Sequence, residues 1–88
     1  MPASRSEIAD RVEGAVRRLG QVQAGDTEFG RDVHLFDSGY LDSLGSYRLI
    51  EFIEETYELS LSEEELFSPD FVNINGITDI IVARQRRM

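Results

Sequence analysis

Ile8, Val12, Ala15, Val16 and Leu19 recur at helical spacing. They follow Ser4-Arg5-Ser6-Glu7, which has the S-x-x-E form of a capping box, and Gly20 supplies a stop. The pattern predicts a first helix over residues 5–19. Leu49, Ile53 and Tyr57 form an i, i+4, i+8 stripe with Ile50 beside it, while Arg48, Glu51, Glu55 and Glu58 lie on another face. That run predicts a second helix over 43–57. Residues 20–42 between them hold no sustained period and contain Gly25, Gly30 and Gly39. A loop this long is uncommon in a small domain and is often functional. Its Phe29, Val33, Leu35, Phe36 and Leu41 indicate a segment pinned onto the core. Further on, Ser68-Pro69 reads as an N-cap followed by proline at the first helical position, predicting a short helix through Phe71 and Val72. Asn73 or Asn75 caps a last helix with Ile77, Ile80 and Ile81 on its apolar face, and Arg84, Arg86 and Arg87 complement its C-terminus. The expectation is an all-α four-helix bundle with a long first loop and a short third helix. It forms a single domain over residues 1–88, ordered over 5–84.

Composition supports that size of fold. A chain of 88 residues, 41% of them apolar, has one modest core and is too hydrophobic to be disordered. There is no cysteine, hence no disulfide, thiolate metal site or cysteine nucleophile. The N-terminal stretch has no hydrophobic signal core and no apolar run reaches membrane-spanning length, so a cytoplasmic location is expected. The net charge of −8 is uneven: Asp37 to Asp70 hold ten of the 17 acids and only one base, Arg48. Such a surface repels nucleic-acid phosphates and is steered toward basic partner surfaces.

Candidate catalytic chemistry is sparse. His34 is the single histidine and lies in a loop with no evident orienting partner, so it reads as a surface residue rather than a general base. Glu54-Glu55 and Glu63-Glu64-Glu65 read as solvated faces. A calcium loop fails twice. A frame through Asn73-Ile74-Asn75-Gly76 puts Phe71 and Val82 at ligand positions, and one starting at Asp26 meets Gly30 and Arg31 where a ligand and glycine are needed. No metal site is expected.

The remaining feature is Asp42-Ser43-Leu44 at the start of the second helix. Asp42 or Ser43 can cap the helix by accepting from a free amide. Both roles can also coexist, with Asp42 capping and Ser43 on the first turn with a solvent-exposed hydroxyl. That hydroxyl has no base of its own, so another enzyme must activate it, and the helix N-terminus favours a phosphate attached there.

Asp42-Ser43-Leu44, preceded by a turn containing Gly39 and followed by an acidic amphipathic helix, resembles the prosthetic-group site of the acyl carrier protein family. The similarity extends to chain length, helix order and the segment "SPDFVNINGITDII". The resemblance implies that a phosphopantetheinyl transferase moves 4′-phosphopantetheine from coenzyme A to Ser43. The arm's thiol then carries a thioester-bound cargo, and the carrier itself catalyses nothing. Carried over by position, it assigns partner contacts to Tyr40, Leu41, Asp42, Leu44, Tyr47, Arg48 and Glu51, with core packing as the alternative for Tyr47. Fatty-acid carriers commonly have polar or acidic residues where this chain has Gly45 and Arg48. "LFDSGYLDSLGSYRLI" is more similar to D-alanyl carriers and to stand-alone carriers of polyketide or nonribosomal peptide pathways. The implied partners are an adenylation or ligase enzyme, an acyltransferase or a ketosynthase, visited by a monomer. A D-alanyl or fatty-acyl carrier is the alternative within the class. Outside it stands an acidic helical interaction module with no prosthetic group.

Overall fold

The computed structural model describes residues 3–87. Four helices follow one another: α1 (Arg5–Leu19), α2 (Ser43–Tyr57), α3 (Glu63–Leu66) and α4 (Ile74–Arg86). Among the described residues there is no strand. The Ser4–Glu7 capping box forms, with Ser4 Oγ accepting from the Glu7 amide at 3.2 Å. Asn73, rather than Asn75, caps α4 and accepts from the Gly76 amide at 2.7 Å.

α1 packs against both α2 and α4, and its apolar stripe enters one core with theirs. Ile8, Val12 and Val16 meet Leu49 and Ile53 from α2 and Ile74, Ile77 and Ile81 from α4, all fully buried. Leu35, Leu41, Leu59 and Phe71 complete the core from the connecting segments.

The long loop is pinned as its apolar content suggested. The Leu35 amide donates to the Val72 carbonyl at 2.7 Å, and the Asn75 amide donates to the Arg31 carbonyl at 3.1 Å. The Arg31 guanidinium reaches back to Asp10 and Glu13 on α1, each at 2.7 Å. Glu13 is held below the usual glutamate range by its hydrogen bonds from Arg31 and then Arg17.

The short helix is not where the sequence placed it. It lies upstream of Ser68-Pro69, at Glu63–Leu66. Ser62 and Glu65 form a reciprocal capping box there: the Glu65 amide donates to Ser62 Oγ at 3.1 Å, and the Ser62 amide donates to Glu65 Oε1 at 2.8 Å. Ser68 Oγ instead accepts from the Asp70 amide two residues on, at 3.1 Å, which closes a turn. That turn sends Phe71 into the core and passes the Asp70 carbonyl across the face of Gly76. The glutamates of α3 are likewise not all solvated, because Glu65 also accepts from Arg84 at 2.6 Å.

Candidate functional site

α2 begins where the chain leaves the loop through Gly39, whose φ of +85° is a left-handed turn conformation. Leu41 then drops into the core, and Asp42 takes the extended N-cap geometry. Asp42 Oδ1 accepts from the Gly45 amide at 2.7 Å, and the Asp42 carbonyl accepts from Ser46 Oγ at 2.8 Å. Capping is therefore the work of Asp42. Ser43 is exposed on the first turn, and its hydroxyl enters none of the hydrogen bonds among the described residues. The first two amides of a helix have no partner within it. α2 has no acid within its first turn, so an anion on the Ser43 oxygen would meet those amides and the positive end of the helix dipole.

Gly45 is closely packed beneath the cap. A side chain there would begin 3.2 Å from both Asp42 Oδ1 and Leu41 Cδ2, against the cap and its anchor. In the sequence, Gly45 marks both a departure from fatty-acid carriers and part of the likeness to D-alanyl and stand-alone carriers.

The residues assigned to partner contacts separate into two groups. Leu44, Tyr47, Arg48 and Glu51 lie at i, i+3, i+4 and i+7, one outward stripe of α2 running away from Ser43. Leu44 is 59% exposed and Tyr47 61%, so Tyr47 does not pack in the core. Leu41 is 4% exposed; its side chain is a core anchor and presents no contact surface. Tyr40 is half-buried, with its hydroxyl donating to Asp26 Oδ2 at 2.9 Å. Glu55 and Glu58 are exposed, but Glu54 accepts from the Leu61 amide at 2.8 Å and serves the turn after α2. Phe67, at the end of α3, is 85% exposed and was not singled out from sequence. No periodicity marks it, because α3 is only one turn long.

A cleft of about 310 Å³ opens beside the Asp42 cap, lined by Leu19, Gly20, Gln21, Gly39, Tyr40 and Asp42. His34 accepts from the Asp37 amide at 3.0 Å through Nδ1 and stacks edge-on with Phe36, a local loop role. Among the described residues no group of three potential ligands could hold a metal ion.

Ser43 thus presents an exposed hydroxyl on the first turn of a capped helix, on a four-helix scaffold. The family described as a phosphopantetheine attachment site matches residues 10–81. The chain belongs to the acyl carrier protein family. This carrier is also 31% identical to a D-alanyl carrier protein of Streptococcus uberis (strain ATCC BAA-854 / 0140J) over 72 residues, covering 82% of this chain and 87% of the relative. No solved structure matches the chain significantly. The family's prosthetic group is 4′-phosphopantetheine, attached covalently. Carriers of this kind work with a phosphopantetheinyl transferase and with partner enzymes, and are in general not catalysts themselves. Among the described residues no helix is long and apolar enough to cross a membrane.

Proposed function

We propose that Ser43 bears the 4′-phosphopantetheine and that the protein is a discrete acyl or aminoacyl carrier of polyketide or nonribosomal peptide biosynthesis. The observation that carries the assignment is the division of labour at the start of α2, where Asp42 caps and leaves the Ser43 hydroxyl exposed. Among the described residues none hydrogen-bonds to that hydroxyl, so the base that takes its proton belongs to the transferase. When attached, the arm supplies a terminal thiol on which cargo is held as a thioester. That thiol is the only one on the molecule, since the chain has no cysteine.

The chain's own part is presentation. Asp42 fixes the first turn of α2, and Leu41 anchors the segment before it. Leu44, Tyr47, Arg48 and Glu51 offer an apolar patch bordered by charge to the enzymes that load, extend or unload the cargo. An adenylating ligase, an acyltransferase or a ketosynthase fits that role, in the cytoplasm. Tethering raises the effective concentration of cargo at each partner without any new contact to it. The similarity to a D-alanyl carrier protein favours D-alanyl transfer as the second reading.

Intact-protein mass spectrometry tests the assignment, after incubation with coenzyme A, magnesium and a broad-specificity phosphopantetheinyl transferase. A phosphopantetheine mass gain in the parent and none in Ser43→Ala is the expected result. No gain in a folded parent with more than one transferase would return Ser43 to the status of a first-turn serine. With the arm attached, adenylating enzymes offered D-alanine or other amino acids separate the two cargo readings.

A further inference from the structure

Tyr40, three residues before Ser43, is held in a way that the fold alone does not need. Its hydroxyl donates to Asp26 Oδ2 at 2.9 Å, across the mouth of the long loop. Asp26 is itself fixed, because Oδ1 accepts from the Glu28 amide at 2.8 Å and the Phe29 amide at 3.0 Å. The Phe29 ring meets Tyr40 edge-on at 5.2 Å, and the Arg17 guanidinium lies over Phe29 at 4.7 Å. A relay of contacts therefore runs from α1 through Arg17, Phe29 and Asp26 to Tyr40. On the backbone side, a side chain on Gly20 would begin 2.6 Å from the Tyr40 carbonyl oxygen, so the turn is pressed directly onto the end of α1.

We propose that the Tyr40–Asp26 hydrogen bond is a latch that holds the turn before Ser43 in the shape its modifying enzyme engages. Tyr40 and Asp26 are then positioning residues for the attachment reaction. The proposal rests on Ser43 as the attachment residue. Its physical basis is the contrast between two neighbours. Leu41 is buried and tied to Leu35 by an amide-to-carbonyl bond of 3.0 Å, so the core holds it. The outward half of the turn, Asp37 to Gly39, is exposed, and its amides donate only within the turn, to His34 Nδ1 at 3.0 Å and to the His34 and Phe36 carbonyls at 3.1 Å, with no tie to the core. The Tyr40 ring could pack on Phe29 equally well as phenylalanine; only the hydroxyl ties it to Asp26. An open latch lowers the fraction of molecules in the competent shape, and apparent affinity falls by that fraction. A solvent-accessible hydrogen bond of ordinary net strength corresponds to a change of roughly 3- to 10-fold.

Steady-state transfer kinetics from coenzyme A test this, with parent, Tyr40→Phe, Asp26→Ala and the double variant, alongside amide hydrogen exchange of the apo proteins. The expected result is a KM for carrier raised about 3- to 10-fold in Tyr40→Phe with kcat unchanged. The double variant should be no worse than Asp26→Ala, since removing Asp26 already leaves the Tyr40 hydroxyl without its acceptor. Exchange should quicken at residues 36–42 and stay unchanged in the α1 and α4 core. A parent-like KM in Tyr40→Phe would overturn the latch, as would additive effects, which mark direct contacts with the enzyme. If the parent is not loaded, or is loaded elsewhere than Ser43, the attachment reading fails and the positioning role falls with it. Unchanged exchange at 36–42 would then show separately that the latch does not hold the turn either.

Discussion

Gly76→Ala should destabilise this carrier, although the same change in an ordinary helix is favourable. Gly76 is a buried residue in the first turn of α4. A Cβ built there would lie 1.9 Å from the Asp70 carbonyl oxygen, 2.7 Å from its carbon and 2.9 Å from the Asp70 Cα. All three are backbone atoms, so no rotamer change relieves the clash; the 68–72 turn must move by more than an ångström. That movement pulls on the buried Phe71 and on the 2.7 Å bond from the Leu35 amide to the Val72 carbonyl. Overpacking costs about 1–3 kcal/mol and a strained hydrogen bond about 1 kcal/mol, against about 1 kcal/mol gained in helix propensity. The net loss is about 1–3 kcal/mol, a large part of the roughly 4–13 kcal/mol expected for a chain of this size. Thermal melts followed by far-UV circular dichroism should show a fall of roughly 5–20 °C. Gly14→Ala is the internal control. Gly14 lies exposed in the middle of α1 with nothing within 4 Å of a new Cβ, so it should gain up to about 1 kcal/mol. A Gly76→Ala protein melting at or above the parent would refute the close approach of the turn to α4.

At the start of α2, Asp42→Ala should lose about 1 kcal/mol of stability in urea titrations, whereas Ser43→Ala should lose less than half of that. Equal losses would mean that Ser43 shares the cap. Glu58 closes α2 with a left-handed backbone (φ 52°, ψ 50°) and an acid at the negative end of the helix. Glu58→Gly should therefore gain about 0.5–1 kcal/mol by the same titration, and a loss would count against strain there. Glu13 is lowered by Arg31 and Arg17. Glu65 is also lowered: burial opposes this, but the Ser62 bonds and Arg84 outweigh it. A lowered folded pKa gives stability that is present above the unfolded value and lost as pH falls through the folded one. Glu13→Gln and Glu65→Gln should thus be less stable than the parent at neutral pH and converge with it well below pH 4.5, the ordinary glutamate value; a pH-independent difference would refute the ion-pair account. Reversing charge at Glu51 should slow association with a basic partner at low salt, and added salt should shrink the difference. Stopped-flow rates that match the parent at low salt would remove Glu51 from the docking stripe.

The locally coded parts of this protein were legible in its sequence. The bounds of α1 and α2, the Ser4–Glu7 box and the apolar stripe of Leu49, Ile53 and Tyr57 all depend on residues within a turn or two of each other. Helical period and end-capping report such relations directly. Ser43 on the first turn beside a capping aspartate was readable for the same reason. What tertiary structure decided involves partners distant along the chain. The short helix formed at Glu63–Leu66 rather than after Ser68 because Glu65 is also held by Arg84 from α4, while the Ser68 turn is drawn inward with Phe71. Leu41 became a core anchor rather than a contact because Leu35 and the inner face of α2 close over it. Gly76 owes its identity to the backbone packed against it, and Tyr40 owes its place to Asp26 across the loop. A one-dimensional pattern records how often a residue recurs. It does not record which other segment arrives above it, and that arrival is what shapes the surface around Ser43.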